Sequence, residues 1–216
     1  MQLSEAEENY LKAIWRLQGD AGVYGKDLAE RLNMKAGSVS EMLKRMADKN
    51  LVEYARYRPI RFTTLGLKLA TQIVRRHRLW EVFLVEKLGF AWGQVHELAE
   101  QLEHVRSEEL IDKLDLYLGQ PRVDPHGDVI PDPEGQTADL NLVTLALAPP
   151  NMPLALRQVA DDSAGFLQYL NHLGLAIGCT LEIRSHLDFD QSVEVLLGGQ
   201  LRIIPNNIAN LLLVEG

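Results

Sequence analysis

Residues 25–62, GKDLAERLNMKAGSVSEMLKRMADKNLVEYARYRPIRF, decide the fold of the N-terminal part of the chain. Their apolar positions predict one short helix over 25–33 and a second over 38–49. Residues 35–37 form a tight connection between the two. Two short helices joined by so short a turn are typical of a helix-turn-helix.

A hairpin, or wing, is predicted directly after the second helix. Its apolar residues alternate as two strands around a basic turn that contains proline: Val52, Tyr54, Ile60 and Phe62. The basic residues Arg56, Arg58 and Arg61 can reach phosphate groups or a minor groove. An arginine-rich hairpin can also be a solvated sheet edge, but its position after a helix-turn-helix favours the first interpretation.

The 216 residues are 46% hydrophobic and 24% charged, which is typical of a globular protein. The formal net charge of −8 is unevenly distributed. Residues 35–78 contain 11 lysines and arginines against 3 acidic residues, whereas the segments on either side are acidic. This distribution predicts a polyanion-binding surface on a chain whose other parts attract cations.

Several classes of protein are not expected. No run of apolar residues is long enough for a membrane-spanning helix, and residues 1–15 carry acidic residues where a secretory leader would be basic and apolar. Cys179 is the only cysteine, which argues against a disulfide framework and against a thiolate metal cluster. We therefore expect a reduced, cytoplasmic protein.

The remaining N-terminal and central elements are predicted to be helices. Ser4 and Glu7 have the spacing of a capping box, which predicts a first helix from about residue 5. Further helices are predicted over 64–88, 93–110 and 112–118. The first two of these are joined by a short connection, so we expect them to be antiparallel.

The C-terminal part differs in composition. A Pro/Gly-rich linker is predicted over 121–140, and Pro125-His126-Gly127 is its most distinctive motif. Beyond it, five short strands around one helix favour a small SH3-like β-barrel. The fold class is therefore mainly α with a small β domain, and the expected domains are 1–72, 73–140 and 141–216.

Imidazole and carboxylate groups are concentrated in the central helices. Four of them share one face of the helix predicted over 93–110: His96, Glu100, Glu103 and His104. On the preceding helix, His77 and Glu81 are one turn apart. Three imidazoles and three carboxylates on two facing helices predict a site for a divalent ion, manganese or ferrous iron before zinc. A charged, solvated helix face is the alternative. A metalloprotease is not expected, because its motif would need a histidine at position 100.

The order of these elements, the two His/Glu motifs and the Pro-His-Gly motif together resemble the diphtheria-toxin-repressor family of metal-dependent transcription regulators. The resemblance is to the three-domain, manganese-responsive branch and covers essentially the whole chain. It implies that 1–72 is a DNA-binding domain, 73–140 a dimerisation and metal-binding domain, and 141–216 an SH3-like, FeoA-like domain.

The resemblance implies two metal sites per subunit. The primary site takes Glu100, Glu103 and His104, with Asn9 or Glu8 from the first helix. The ancillary site takes His77, Glu81 and His96, completed by Asp161 or Asp162. At position 100 the iron sensors of the family carry cysteine and the manganese sensors glutamate. Glu100 therefore implies Mn(II), although nitrogen and oxygen ligands also accept Fe(II).

The resemblance further implies a function as a regulator rather than an enzyme. Mn(II) or Fe(II) would act as corepressor for a homodimer, held through residues 65–120, that binds a palindromic operator of metal-homeostasis genes. Three alternatives stay open. They are a winged-helix repressor with a small-molecule effector, a metal-dependent activator, and a metal hydrolase.

The DNA-binding surface is expected on the second helix of the helix-turn-helix, the residues near its start, and the wing. The candidate contact residues are Lys26, Lys35, Ser38, Ser40, Glu41, Lys44, Arg45, Arg56, Arg58 and Arg61. Ser38 can equally act as the N-cap of its helix.

Overall fold

The computed structural model describes residues 3–18 and 22–216, which fall into two compact units. The first unit consists of Met1–His77, Glu103–Arg106 and Pro131–Thr137. The second consists of Arg78–Leu102, Ser107–Ile130 and Ala138–Gly216.

Most of the first unit is a winged helix-turn-helix. Its elements are α1 (Glu5–Leu17), α2 (Gly25–Arg31), α3 (Ala36–Asp48), β1 (Val52–Glu53) and β2 (Arg61–Phe62). Apolar side chains from all three helices form one core, in which Leu11, Leu28 and Leu43 are fully buried. The predicted helix-turn-helix and wing are confirmed.

α1 begins with the predicted capping box. The Ser4 hydroxyl accepts a hydrogen bond from the Glu7 amide at 3.3 Å, and Oε2 of Glu7 accepts one from the Ser4 amide at 2.9 Å. Lys49, which follows α3, places Nζ 2.6 Å from Oε1 of the same glutamate. Glu7 therefore both caps the start of α1 and links that helix to the end of α3.

α3 starts two residues earlier than predicted. It begins at Ala36, with Lys35 at the N-cap position, so Ser38 is an exposed residue of the first turn. The alternative that Ser38 caps the helix is wrong. The buried face of α3 is the predicted one and consists of Val39, Met42, Leu43 and Met46.

The wing has shorter strands than the sequence pattern predicts. Val52 pairs with Phe62, and Ile60 forms an isolated bridge with Val23 of the loop before α2. Tyr54 lies outside the strands. At the tip, Tyr57 is 90% exposed, and the Arg56 guanidinium lies 5.9 Å from the centre of its ring.

α4 (Thr64–Glu86) follows the wing and contributes to both units. Its Gly66 packs against the end of the α3–β1 connection, where a Cβ atom would lie 1.7 Å from the Leu51 carbonyl oxygen. Only glycine permits this approach of the helix to the wing.

The single helix predicted over 93–110 is wrong. A 3₁₀ turn at Trp92–Gln94 is followed by α5 (His96–Leu102), and α6 (Glu108–Tyr117) begins after Ser107, whose hydroxyl accepts from the Leu110 amide at 3.2 Å. The intervening residues 103–106 belong to the first unit. Glu103 and His104 therefore do not share a helical face with His96.

The C-terminal part is a six-stranded antiparallel sheet with the strand order β3-β8-β4-β5-β6-β7. The elements are β3 (Val143–Thr144), β4 (Pro153–Val159), α7 (Ala164–Leu173), β5 (Thr180–His186), β6 (Val193–Leu197), β7 (Gln200–Ile204), α8 (Asn206–Ala209) and β8 (Leu212–Glu215). α7 covers the sheet with Phe166, Leu167 and Leu170. The SH3-like domain is confirmed, with one strand and one short helix more than predicted.

The predicted linker is folded onto the second unit over much of its length. Asp124, His126 and Ile130 are buried, and the His126 carbonyl accepts a hydrogen bond from the Val159 amide of β4 at 3.0 Å. A Cβ atom at Gly127 would lie 1.9 Å from the backbone of that strand. The Pro-His-Gly motif is therefore a packed part of the fold.

Over the parts of the chain that the structure describes, none of the helices combines the length and the apolar character needed to cross a bilayer.

Candidate metal centre

Glu8 on α1 meets the segment 103–106 within the first unit. Its side chain is 4% exposed, and its Oε2 atom lies 2.6 Å from Nδ1 of His104, 96 residues later in the chain. Two arginines approach Oε1, Arg106 at 3.1 Å and Arg76 at 3.6 Å. A buried carboxylate and an imidazole are thus brought together. Asn9, the other candidate on α1, is half-buried.

Glu103 is fully buried and has different partners. Nζ of Lys12 lies 2.7 Å from both carboxylate oxygens, and Nδ1 of His77 lies 2.6 Å from Oε2. Arg76 donates to the Glu103 carbonyl oxygen at 2.7 Å, which holds the segment on α4. Burial alone would raise the pKa of Glu103, but the hydrogen bonds and charges of His77 and Lys12 outweigh burial and lower the pKa.

The second unit contains its own imidazole and carboxylate cluster. Oε1 of Glu81, a buried residue of α4, lies 3.3 Å from Nδ1 of His96, which in turn is 3.7 Å from Oδ2 of Asp162. The neighbouring Asp161 accepts a hydrogen bond from the Ser163 amide at 2.8 Å, just before α7. Of the two aspartates, Asp162 is the one that faces His96.

The predicted ligands are divided between the two units. Glu8, His77, Glu103 and His104 lie in the first unit, and Glu81, His96 and Asp162 lie in the second. Glu100 also lies in the second unit, where its carboxylate is 3.4 Å from Nε2 of His96. His77 directs its ring to Glu103 within the first unit, a contact that the helical spacing did not predict.

Two buried residues beside Glu81 were not predicted as site residues. Nδ1 of His126 lies 3.7 Å from Oε2 of Glu81 and 3.9 Å from Oδ1 of Asp124. Nε2 of the same ring is 3.0 Å from the Trp92 carbonyl oxygen, and the ring stacks on the indole of Trp92. The sequence signal was the Pro-His-Gly motif between two aspartates, which composition assigned to a linker.

Burial and neighbouring charges shift the pKa values of His126 and Asp124. Burial lowers the pKa of His126, but Glu81, Asp124 and the Trp92 carbonyl outweigh it and raise that pKa to about 9. Burial, with the charges of Glu81 and Asp128, raises the pKa of Asp124. Both shifts favour the protonated forms of the two groups.

Arg78 on α4 holds the linker in place. Its Nη2 atom lies 2.8 Å from Oδ2 of Asp128, and its Nε atom is 3.6 Å from Oδ2 of Asp124. Nη1 donates to the Val129 carbonyl. Gln158 of β4 donates to Oδ1 of Asp128 at 2.6 Å, so the linker is bonded to both helix and sheet.

The donor atoms of both clusters are of the kinds that divalent cations take as ligands. They are carboxylate oxygens and imidazole nitrogens, the ligands of hard and borderline ions such as manganese and ferrous iron. The thiol of Cys179 packs against the apolar core of the sheet instead.

The candidate DNA-contact residues lie on the surface of the first unit. Ser40 is half-buried, and the others are exposed: Lys26, Lys35, Ser38, Glu41, Lys44, Arg45, Arg56, Arg58 and Arg61. On α3 they occupy the face opposite Val39 and Leu43, which are buried in the core. The surface is thus available to a nucleic acid.

Three family descriptions match the chain. Residues 2–60 match "Iron dependent repressor, N-terminal DNA binding domain", and residues 63–132 match "Iron dependent repressor, metal binding and dimerisation domain". Residues 143–216 match "FeoA domain".

Several known proteins are similar to this chain. The iron-dependent repressor IdeR of Mycobacterium tuberculosis is 33% identical over 183 residues, which are 80% of this chain and 79% of the relative. The diphtheria toxin repressor of Corynebacterium diphtheriae is 35% identical over 60% of this chain and 58% of its own. A solved structure described as a manganese-dependent transcriptional repressor in complex with manganese has 31% identity, covers 97% of this chain and 99% of its own, and gives a TM-score of 0.88. A solved structure of ScaR with bound Zn²⁺ has 33% identity, covers 97% of this chain and 98% of its own, and gives a TM-score of 0.81.

Fold, site and relatives together define a metal-dependent transcriptional regulator that binds DNA. The chain belongs to the diphtheria-toxin-repressor family, in its three-domain form. These are repressors and not enzymes, so the hydrolase alternative is wrong.

Proposed function

We propose that this chain is a Mn²⁺-responsive repressor of metal-uptake or metal-homeostasis genes. The observation that carries the proposal is the 2.6 Å contact between Glu8 of α1 and His104, because it joins a helix of the DNA-binding fold to the segment predicted to hold metal. We infer Mn²⁺ before Fe²⁺ because Glu100 supplies a carboxylate and the candidate ligands include no thiolate.

The proposed primary site contains Glu8, Glu103 and His104. Glu8 is preferred to Asn9 as the ligand from α1, because its carboxylate already meets the imidazole of His104. Glu100 is assigned to this site by the resemblance in sequence. When bound, the ion would supply positive charge that holds these carboxylates together.

The proposed ancillary site contains Glu81, His96 and Asp162. The support is the pair of contacts made by Nδ1 of His96, at 3.3 Å to Glu81 and 3.7 Å to Asp162. His77 is assigned to the site by its position one turn before Glu81 on α4. Asp161 is the less suitable carboxylate because it accepts the Ser163 amide.

The contacts of α1 suggest how the site controls DNA binding. One face of α1 packs in the helix-turn-helix core through Leu11 and Ile14, while Glu8 and Lys12 bond to the segment 103–106. Fixing that segment therefore fixes α1 and, through the shared core, α3. Metal binding to the segment 103–106 would therefore shift the population of the form that is competent to bind DNA.

We further propose a homodimer that binds a palindromic operator. The region 65–120 includes exposed apolar side chains in the second unit, which favours burial against a second copy: Leu88, Phe90, Leu110, Leu116 and Tyr117. A two-fold axis presents two α3 helices to two half-sites. We infer a cytoplasmic location because the operator DNA is there.

The experiment is fluorescence anisotropy with a pool of genomic fragments, at fixed salt. Metal-free protein is titrated with Mn²⁺ and, anaerobically, with Fe²⁺. Mn²⁺ should raise the affinity, and Glu8→Gln or His104→Ala should abolish the gain. Glu109→Gln is the control, since Glu109 is exposed and pairs with the exposed Lys113 one turn further along α6. Equal binding by metal-free and Mn²⁺-loaded protein would contradict the proposal.

A further inference from the structure

Tyr57 holds an aromatic ring in solvent at the tip of the wing. The residue is 90% exposed, whereas Val52 and Ile60 in the arms of the same hairpin are buried. A ring in this position leaves a large apolar surface in water, and removing that surface from water is favourable. The fold therefore presents the Tyr57 ring to a binding partner.

The backbone at Tyr57 is also unusual. Its φ angle is +63°, in the left-handed region that bulky side chains rarely adopt. The Arg58 amide donates to the Ala55 carbonyl oxygen at 3.1 Å, so Tyr57 is the third residue of a four-residue turn. Turns with a positive φ at this position favour glycine or asparagine there. A tyrosine works against the stability of the turn, and such strain is typical of functional positions.

The arms of the wing hold this turn in place. The Ile60 amide donates to the Val23 carbonyl oxygen at 2.7 Å. Pro59 packs on the backbone before α2, where a Cβ atom at Gly22 would lie 2.8 Å from the Cβ atom of Pro59. The ring is thus carried by an anchored hairpin, and a partner that binds it has little chain to order.

The charges beside Tyr57 favour a polyanion as that partner. Arg56 and Arg58 flank it and are both exposed, and the Arg56 guanidinium lies 5.9 Å from the centre of the ring. Phe189, in the turn between β5 and β6, is also fully exposed, but it lies between two aspartates. Arginines and apolar side chains are what proteins insert into the minor groove of DNA. The surroundings of Tyr57 therefore match DNA, and those of Phe189 do not.

We propose that Tyr57 enters the minor groove of bound DNA and packs its ring against the deoxyribose walls, between phosphate contacts of Arg56 and Arg58. The inference rests on the proposed function, because it needs DNA on this unit. α3 is expected in the major groove, and the wing follows α3 directly in the chain. The contact of the ring is apolar and displaces no counterions, so it should add affinity that does not depend on salt.

The test uses anisotropy titrations of the genomic-fragment pool, with and without Mn²⁺ and at several salt concentrations. Tyr57→Asn should lower the affinity by roughly tenfold. The slope of log affinity against log salt should stay unchanged, because only an apolar contact is lost. Tyr57→Phe keeps the ring and should bind as wild type does. Phe189→Asn is the matched control, since it removes an equally exposed ring between acidic residues, and it should leave the affinity unchanged.

Thermal unfolding of the same proteins separates a role in DNA binding from a role in folding. Asparagine adopts a positive φ more readily than tyrosine does, so Tyr57→Asn should unfold at the wild-type temperature or above it. Tyr57→Gly, which has the greatest freedom at positive φ, is the second variant and should lose affinity in the same way. A loss of affinity without a loss of stability is the result that a purely structural tyrosine would not give.

The outcomes distinguish this inference from the proposed function. If Tyr57→Asn and Tyr57→Gly bind the fragments as tightly as wild type, the inference fails alone, and the ring serves another partner. A loss of affinity that comes with a smaller salt slope also overturns it, because the ring then only positions the arginines. If metal-free wild type binds as well as the Mn²⁺-loaded protein but both variants bind more weakly, the metal response fails and the contact stands. If wild type binds no fragment, both fail.

Discussion

Lys12 neutralises Glu103 in the interior of the first unit, where both side chains are almost completely removed from solvent. Breaking a buried pair leaves an uncompensated charge. We expect Lys12→Met to lower the free energy of unfolding of the metal-free chain by about 3 kcal/mol, measured by urea denaturation. The matched control is Lys49→Met. Lys49 pairs with Glu7 but is 40% exposed, so its loss should cost less than about 1 kcal/mol. Equal losses in the two variants would show that burial does not matter here.

His126 makes the stability of the metal-free chain depend on pH. Its pKa is about 9 in the folded chain against an ordinary value of 6.5, so the protonated ring stabilises the fold fully below pH 6.5. That contribution, roughly 3 kcal/mol, is lost as the pH rises through about 9. We compare the free energies of unfolding of wild type and His126→Asn in chelator. The difference between them should shrink between about pH 6 and pH 10; a constant difference would contradict the assignment.

At the scale of secondary-structure elements, Gly66 governs how closely α4 approaches the wing. Gly66→Ala brings a Cβ into the Leu51 carbonyl, and we expect it to destabilise the chain by about 3 kcal/mol, because the helix must shift. Gly37→Ala on α3 is the control, since a Cβ there meets nothing within 4 Å. That substitution should stabilise the chain by up to about 1 kcal/mol. Thermal unfolding of the two variants checks both signs, and a stable Gly66→Ala protein would contradict the packing argument.

Local patterns predicted the elements that are stabilised locally. The capping box of α1 and the buried stripe of α3 are properties of adjacent residues, and both are present. The break after Leu102 is different, since the spacing from His96 to His104 satisfies a helix. α5 stops just before Glu103, whose bonds to Lys12, His77 and Arg76 come from distant parts of the sequence that no local pattern contains.

Local sequence patterns likewise identified only part of the candidate site. The His/Glu spacing identified Glu81 and His104, and the family resemblance added Glu8; Glu81 meets His96, and Glu8 meets His104. Asp124 and His126 were missed because a Pro/Gly-rich composition indicates a linker. Their burial depends on β4, which follows some thirty residues later and packs against Gly127.

At the scale of the whole molecule, the basic residues of 35–78 contrast with a net charge of −8. Binding to DNA should therefore weaken steeply with salt, because each phosphate contact releases counterions. Arg58→Ala on the wing should lower the slope of log affinity against log salt by about 1. Lys113→Ala on α6, whose partner is Glu109, is the control and should leave the slope unchanged. Anisotropy titrations at several salt concentrations measure both, and an unchanged slope for Arg58→Ala would exclude a phosphate contact.

The segment 103–106 has a consequence for how the protein is made. Glu103, a partner of Lys12, follows it by 91 residues, and His104, a partner of Glu8, follows it by 96 residues. While a ribosome is still translating α4, the winged helix-turn-helix therefore lacks the Glu103 carboxylate and the His104 imidazole that these two side chains meet in the finished fold. A chain cut short before residue 103 therefore lacks these contacts and keeps α1 only through the apolar core and the Lys49–Glu7 pair that are already present.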